Sequence, residues 1–542
     1  MIEVQNISKI FSDKKLFENV NLKFTEGNTY GIIGANGAGK STFLKILSGQ
    51  IEATSGQIVI EKNKRISVLS QDHNAYDQMN VTEVVIMGNT DLYNVLQEKN
   101  AIYANPDATM EDYTRAGELE DKYGELGGWT AENDAQELLS NLSIPKEKWN
   151  VNMSELTANQ KIKVLLAKAL FGNPDILIMD EPTNHLDLRS IKWLENFLID
   201  YPNVVIVVSH DSDFLDSICT HIVDIDYSEA KIYTGNYSFW KQSSELAREM
   251  MKQSNLKKEA QMEKLKDFIA RFSANASKSK QATSRKKALE KISLDEIKPS
   301  NRKYPYIRWD MNREHGKQIL NVENLTYKND LGQTLFENVS FTLRPGEKMV
   351  IVGDDDIAKT RLLEIIFGER EATSGTVEWG QTITPSYFPN DNAKYFNTDE
   401  NILEWISKWP LLNKIKENQE NDDARMRGFL GRMLFSADSV FKKVNVTSGG
   451  EKARLMFSRM MLLESNFIIL DQPLDHLDTE SIDSVIEGVQ NYKGGAIFTT
   501  YNRAFVNQCA DVILELQSPT KSFLFRGTLE EYEEIMMQDQ DK

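Results

Sequence analysis

Residues 34–42 have the residue types and spacing of a phosphate-binding loop. They follow a run typical of a buried strand and precede a run typical of a helix. A glycine-rich turn in that position directs backbone N–H groups toward one centre, and the N-terminus of the helix favours anions. The spacing GxxxxGK[ST] predicts that Lys40 reaches the β- and γ-phosphates of a nucleotide and that Ser41 binds Mg²⁺. The loop consists of Gly34, Ala35, Asn36, Gly37, Ala38, Gly39, Lys40, Ser41 and Thr42.

Other residues suited to nucleotide chemistry come at the ends of predicted strands. Asp180 and Glu181 follow an apolar run; Asp180 is placed to hold Mg²⁺ through water, and Glu181 to polarise a water for attack on the γ-phosphate. Gln71 is placed to reach the Mg²⁺ and the attacking water, and His210 to donate to the γ-phosphate. Phe11, after an early strand pair, either stacks on a purine or belongs to the core.

The chain repeats itself at an offset of 319 residues. Residues 16–34 read LFENVNLKFTEGNTYGIIG, and residues 335–353 read LFENVSFTLRPGEKMVIVG. A repeat of this length predicts two copies of one nucleotide-binding domain. We expect a first domain at 1–240 with an insertion near 90–125, a basic helical linker at 241–317, and a second domain at 318–542.

The second copy departs from the first at the positions that would do chemistry. Its loop, 353–361, keeps a lysine and a hydroxyl but carries three aspartates at 354–356 where phosphate would bind. The acid pair Asp180-Glu181 is replaced by Asp471-Gln472, and His210 is replaced by Tyr501. These features predict a degenerate second site. Its members are Gly353, Lys359, Thr360, Asn390, Asp471, Gln472 and Tyr501.

Composition and charge exclude several classes of protein. The 542 residues contain no apolar run of the 18–20 residues that a membrane span needs, and the N-terminus has no export signal. Two cysteines favour a reducing compartment, so we expect a cytoplasmic protein. A net charge of −18 argues against non-specific nucleic-acid binding by the whole molecule.

One segment has the opposite charge. Residues 241–320 contain 20 Lys or Arg and 10 Asp or Glu, and residues 271–287 contain six basic residues and no acid. Helical patterns flank this basic run, at 241–270 and about 284–298, and predict a hairpin with the basic residues at its tip. The tip either binds RNA or is a solvated spacer. The predicted RNA-binding residues are Arg271, Lys278, Lys280, Arg285, Lys286 and Lys287.

Together these residues resemble an ATP-binding-cassette (ABC) ATPase. The resemblance extends to DEPTNHLD at 180–187, DQPLDHLD at 471–478 and the SGGE segment at 448–451. Two cassettes in one chain, no membrane domain and a basic helical linker resemble the ABC-F family of ribosome-associated ATPases. The resemblance implies tandem α/β cassettes joined by a helical hairpin, with ATP and Mg²⁺ as cofactors.

The resemblance also implies that the cassettes pair head to tail, each ATP lying between one phosphate loop and the opposite signature segment. Site one then combines the first loop with Ser448, Gly449 and Gly450. Site two combines the second loop with 156–160, where LTANQ replaces LSGGQ. All departures fall in site two, which favours natural decay over an engineered Gln472.

In the family, the implied partner is the bacterial ribosome, including its ribosomal RNA, the tRNA exit-site region and peptidyl-tRNA. The chain resembles members that protect the ribosome from phenicols, oxazolidinones or tetracyclines, so we expect antibiotic protection. The alternatives are a housekeeping translation factor, the ATPase subunit of a transporter, or a DNA-repair or chromosome ATPase. The last is weak, because the hairpin is short and the chain has only two cysteines.

Overall fold

A computed structural model describes most of the chain. The described residues are 1–11, 14–35, 37–70, 72–272, 284, 286, 287, 289, 302–409, 422–436 and 438–540. No helix within these ranges is long and apolar enough to cross a membrane.

The first cassette is built on a six-stranded sheet. Its strands lie in the order 66–68, 176–180, 204–208, 29–33, 221–226 and 229–234, all neighbours being parallel except the last pair. A three-stranded antiparallel sheet lies beside it. The strands are Ile2–Phe11, Lys14–Phe24, Thr29–Ile33, Ser55–Ile60, Ile66–Val68, Ile176–Asp180, Val204–Val208, His221–Asp226 and Glu229–Thr234.

Helices cover both faces of this sheet, as a buried parallel sheet requires. Residues 90–125, where an insertion is predicted, form two helices that contact each other through Arg115 and Glu98, whose Nε and Oε1 are 2.9 Å apart. The helices are Lys40–Leu47, Val81–Ile86, Thr90–Ala104, Met110–Glu125, Ala131–Asn141, Ala158–Leu170, Leu188–Ile199 and Ser212–Ile218, with short 3₁₀ turns at Lys146–Lys148 and Met153–Glu155.

The second cassette repeats this architecture. Its six-stranded sheet has the order 385–388, 467–471, 495–499, 348–352, 512–518 and 521–526. The strands are Leu320–Lys328, Thr334–Leu343, Lys348–Val352, Ser374–Trp379, Pro385–Phe388, Phe467–Asp471, Gly495–Thr499, Val512–Ser518 and Lys521–Arg526. The helices are Asp356–Phe367, Ala393–Phe396, Ile402–Ser407, Asp422–Arg432, Gly449–Leu462, Thr479–Asn491, Arg503–Cys509 and Leu529–Gln540, with 3₁₀ turns at Ser439–Phe441 and Val444–Val446.

The central strands explain where the candidate site lies. Strands 29–33 and 204–208 are fully buried, and strand 176–180 is buried up to Asp180. Their Val and Ile residues suit a sheet covered on both faces. The parallel register places the first phosphate loop and Asp180 at the carboxyl edge of the sheet, where open α/β sheets bind ligands.

A single long helix, Tyr237–Phe272, leaves the first cassette. Its first turn is anchored in the core of that cassette by Tyr237 and Trp240. The chain returns at Arg302, and Trp309 is buried in the core of the second cassette. The linker is therefore fixed at its base in both cassettes.

Arg302 connects the two cassettes directly. Its guanidinium lies 2.6 Å from Asp224 Oδ1 in the first cassette and 3.0 Å from Glu480 Oε1 in the second. The same guanidinium lies 4.5 Å from the centre of the Trp240 ring. Both the outgoing helix and the returning chain are thus held at one place between the cassettes.

Candidate nucleotide sites

The described residues of the first phosphate loop (34–42) include two glycines in conformations that suit phosphate binding. Gly37 has φ 76° and Gly39 has φ 102°, in the left-handed region that favours glycine. The helix begins only at Lys40, so the loop before it is not helical. Lys40 Nζ donates to the Gly34 carbonyl oxygen at 2.7 Å, and burial lowers the pKa of Lys40.

Ser41 and Asp180 line one cavity beside this loop. A hydroxyl and a carboxylate are oxygen ligands of the kind that Mg²⁺ prefers. The residues present therefore fit the predicted Mg²⁺ site. Asn36 and Gln71, which were also predicted here, lie outside the described residues.

The backbone turns sharply at Glu181. Its φ of 53° is in the left-handed region, which a non-glycine residue enters at a cost and which is common at functional sites. Glu181 Oε2 accepts from the backbone N–H of His210 at 3.1 Å, and Glu181 Oε1 lies 3.6 Å from His210 Nε2. Burial raises the pKa of Glu181 to about 8 and lowers the pKa of His210 to about 3, so the imidazole is neutral at pH 7.

The second cassette contacts His210 through a residue that the sequence patterns did not indicate. His210 Nδ1 and Thr479 Oγ1 are 2.9 Å apart. Thr479 thus holds Nδ1 of the imidazole from the opposite cassette, and the other ring nitrogen, Nε2, faces Glu181. Thr479 directly follows the motif DQPLDHLD at 471–478. Its position next to that motif is the sequence feature that could have indicated it.

Phe11, a predicted member of site one, lies at the surface. It is 49% exposed, with Lys9 Nζ at 4.9 Å from the ring centre, so it is not a core aromatic.

The second signature segment begins a helix. Ser448 caps the helix Gly449–Leu462 by accepting from the Glu451 N–H at 3.3 Å. Gly449 and Gly450 form the first turn of that helix, so this segment offers a helix N-terminus with a serine hydroxyl.

The second phosphate loop (353–361) has a different backbone. Its helix begins at Asp356, three residues earlier than the repeat offset predicts from the first loop. Asp355 caps this helix by accepting from the Ala358 N–H at 3.1 Å. The Lys359 N–H also donates to the Asp355 carbonyl oxygen at 3.1 Å, so two backbone donors at the start of this helix are used inside the second loop. Gly353 is retained for a structural reason, because a Cβ there would lie 2.6 Å from the Leu516 carbonyl oxygen.

The acid pair of the second cassette is also engaged by protein groups. Asp471 Oδ1 accepts from Thr499 Oγ1 at 2.7 Å, and Asp471 Oδ2 accepts from the Tyr387 hydroxyl at 3.5 Å. Gln472 has φ 47°, like Glu181, but its amide cannot act as a base. Asn390 is exposed just after strand 385–388.

Most of the predicted RNA-binding tip falls outside the described residues. Lys278, Lys280 and Arg285 lie there, and Arg271 is described only as the penultimate residue of the long helix. Lys286 and Lys287 are helical and exposed.

Comparison with known proteins identifies the family. A family model described as "ABC transporter" matches residues 17–184 and 336–475, and a second with the same description matches 223–309. "ABC transporter F family member 2" of Arabidopsis thaliana is 31% identical over 95% of this chain and 76% of its own length. The chain belongs to the ABC-F family. The predicted fold of two tandem α/β ABC domains and the predicted family are both confirmed.

A second relative of this ABC-F protein and one solved structure of similar fold are informative. The "uncharacterized ABC transporter ATP-binding protein YkpA" of Bacillus subtilis (strain 168) is 51% identical over 95% of this chain and 94% of its own length. The structure titled as the complex of archaeal ribosomal stalk protein aP1 with the archaeal ribosome recycling factor aABCE1 matches 98% of this chain and 92% of its own. Its TM-score is 0.58 at 16% identity, which shows a shared fold.

Proposed function

We propose that this ABC-F protein is an ATPase that hydrolyses ATP to ADP and phosphate at site one and acts on the ribosome through its linker. The observation that supports it most is the grouping of Lys40, Glu181 and His210 at one sheet edge, with Thr479 of the second cassette against His210. Site two has lost the corresponding chemistry.

Each residue of site one has a definite task in this mechanism. Lys40 holds the β- and γ-phosphates, and Phe11 stacks on the purine. Mg²⁺, held by Ser41 and Asp180, would neutralise charge that develops on the phosphates. Glu181 orients a water and takes its proton when the side chain is ionised; the raised pKa makes that ionised form a stronger base. His210, neutral and fixed by Thr479, donates to the γ-phosphate.

Closure of the cassettes connects this chemistry to the linker. Bound ATP adds contacts from Ser448, Gly449 and Gly450 to the γ-phosphate, and hydrolysis removes them, which favours opening. The linker is anchored beside Trp240 and Trp309, one in each cassette. Its tip therefore changes position when the cassettes open or close.

The ribosome is the proposed partner because the linker is basic in an otherwise acidic chain. Six basic residues without an acid suit a phosphate backbone. A solved structure of the same fold contains a protein that is named as a ribosome recycling factor. We place the tip at the tRNA exit site of a bacterial ribosome, beside ribosomal RNA and peptidyl-tRNA. There it would displace a bound antibiotic indirectly, since the tip has little apolar surface.

Co-sedimentation with ribosomes tests this proposal. Glu181→Gln protein with ATP should remain on ribosomes, and wild-type protein with ADP should leave them. Equal binding in ATP and ADP would refute the coupling between closure and ribosome binding. Co-sedimentation with membranes but not ribosomes would favour a transporter subunit.

Neutralising the six basic tip residues to Gln tests the linker itself. Ribosome affinity should fall, and the slope of log affinity against log salt should flatten by about 0.7–0.9 for each lost phosphate contact. A control loses the same number of exposed basic residues from the second cassette, Lys328, Arg344 and Lys521 among them. Unchanged affinity in the tip variant at several salt concentrations would make the linker a spacer.

Drug susceptibility separates antibiotic protection from a housekeeping role. Expression in a susceptible bacterium should raise the inhibitory concentration of phenicols, oxazolidinones or tetracyclines, and Glu181→Gln should abolish the increase. No protection against any ribosome-targeting class, with ribosome binding retained, would support the housekeeping alternative.

A further inference from the structure

Site two contains a carboxylate where the corresponding position of site one has no side chain. The offset of 319 pairs Asp356 with Gly37 and Lys359 with Lys40. Lys359 Nζ donates to the Gly353 carbonyl oxygen at 2.8 Å, as Lys40 Nζ does to Gly34, but it also lies 2.7 Å from Asp356 Oδ1. The second phosphate loop thus supplies an anion to its own lysine.

The opposite cassette contacts the same carboxylate. Asn159, in the first signature segment (156–160), donates from Nδ2 to Asp356 Oδ2 at 2.6 Å and to the Tyr501 hydroxyl at 3.2 Å. The Tyr501 hydroxyl therefore shares Asn159 with the Asp356 carboxylate, and the centre of the Tyr501 ring lies 4.8 Å from Lys359 Nζ. Three groups that would surround a terminal phosphate in such a site therefore surround Asp356.

The charges make this arrangement stable. Burial alone would raise the pKa of Asp356, but Lys359, Asn159 and Tyr501 together lower it below its ordinary value, so the carboxylate is ionised. Burial raises the pKa of Tyr501, so its hydroxyl stays neutral. Hydrogen bonds to a charged group are roughly twice as strong as those between neutral groups.

A second ion pair crosses the cassettes beside the first. Lys163, buried in the helix that the first signature segment starts, lies 2.5 Å from Asp187 Oδ2 and 3.3 Å from Asp354 Oδ1. In site one, Ala35 corresponds to Asp354 at the offset of 319, and Arg454 corresponds to Lys163 at the offset of 291 that relates the signature segments 156–160 and 447–451. Site one therefore cannot make this pair.

We infer that site two is closed by the protein's own Asp356, whose carboxylate takes the position of a nucleotide phosphate and holds the cassettes together without ATP. Site two then serves as a permanent joint between the cassettes. Opening and closing take place at site one. The joint itself does not depend on the proposed function, whereas the response of site one to ATP does.

Distances between pairs of spin labels test the joint in the full chain. Glu155 of the first cassette and Glu371 of the second are exposed and serve as the site-two pair; Val446 and Glu52, the residues that correspond to them in the repeat, serve as the site-one pair. The native cysteines are buried, so introduced cysteines carry the labels. Without nucleotide, the site-two pair should give one narrow distance and the site-one pair a longer, broader distribution. ATP in a Glu181→Gln background should shorten the site-one distance and leave the site-two distance unchanged.

Matched variants identify the residue responsible. Asp356→Ala should broaden the site-two distribution in the absence of nucleotide. Asp355→Ala removes the same charge from the same loop but no contact between cassettes, and should leave the distribution narrow. A broad site-two distribution in the nucleotide-free parent, or a narrow one in Asp356→Ala, would overturn the inference. Failure of site one to respond to ATP would count against the proposed function and leave the site-two result intact.

The number of bound nucleotides gives an independent check. Equilibrium binding of a labelled, non-hydrolysable ATP analogue should saturate at one molecule per chain. Two molecules per chain would refute an internally occupied site two.

Discussion

Site one and site two are built on corresponding strands and helices, yet different atoms occupy the space between the cassettes. Site one has Gly37 and an open loop beside Lys40. Site two has Asp356, a loop drawn into the helix, and a lysine already paired. The same position of the fold can therefore leave space for a nucleotide phosphate or fill that space with a side chain, depending on a few residues.

The largest expected difference concerns the catalytic base. Glu181→Gln keeps the shape of the side chain and removes proton transfer, so turnover should fall by about 10²–10⁴-fold with ATP still bound. Gln472→Glu should change steady-state turnover by less than about twofold, because the phosphate position remains occupied. ATP hydrolysis assays of the two variants make the comparison. A large gain in Gln472→Glu would show that site two is otherwise competent.

The second largest difference is expected between the loop lysines Lys40 and Lys359, in their effect on nucleotide affinity. Lys40→Met removes charged hydrogen bonds to phosphate, worth about 1.5–3 kcal/mol. The affinity for ATP should therefore fall by about 10- to 150-fold. Lys359→Met should leave nucleotide affinity unchanged, since Lys359 already binds Asp356. Equilibrium nucleotide binding measures both, and an equal loss in the two variants would mean that both loops bind ATP.

The smallest effect concerns Thr479. Thr479→Val removes one hydrogen bond to His210, worth about 0.5–1.5 kcal/mol, so kcat should fall by about 2- to 10-fold with little change in KM. Thr479→Ser should restore the rate, because it keeps the hydroxyl. The corresponding residue of the first cassette is Leu188, and Leu188→Ile should leave kcat unchanged. An equal loss of kcat in Thr479→Val and Thr479→Ser would indicate a packing role.

Sequence predicted the architecture because its signals are local and repeated. The glycine spacing of 34–42, the buried apolar strands and the offset of 319 residues are readable without a structure. The partners of individual side chains are not readable in this way. Asn159 lies 197 residues before Asp356 and 342 residues before Tyr501 in the sequence. Only the packing of the two cassettes brings these side chains together.

The same limit applies to the interpretation of the three aspartates. Their charge predicts poor phosphate binding by repulsion, but their tasks in the structure differ. Asp355 caps a helix, Asp356 pairs with Lys359, and Asp354 meets Lys163 of the other cassette. The sequence cannot assign these tasks, because they depend on side-chain direction and on a helix that starts three residues earlier than expected.

The helix Tyr237–Phe272 also has a mechanical consequence. Its 36 residues span about 54 Å at 1.5 Å per residue, and Arg302 fixes its base at the junction of both cassettes. A stiff rod held at one end converts a small rotation into a large displacement at the other. A tilt of about 10° at the base would carry the far end through roughly 9 Å at that length. The helix is therefore a lever, and modest cassette movement suffices for nucleotide-scale displacement at its tip.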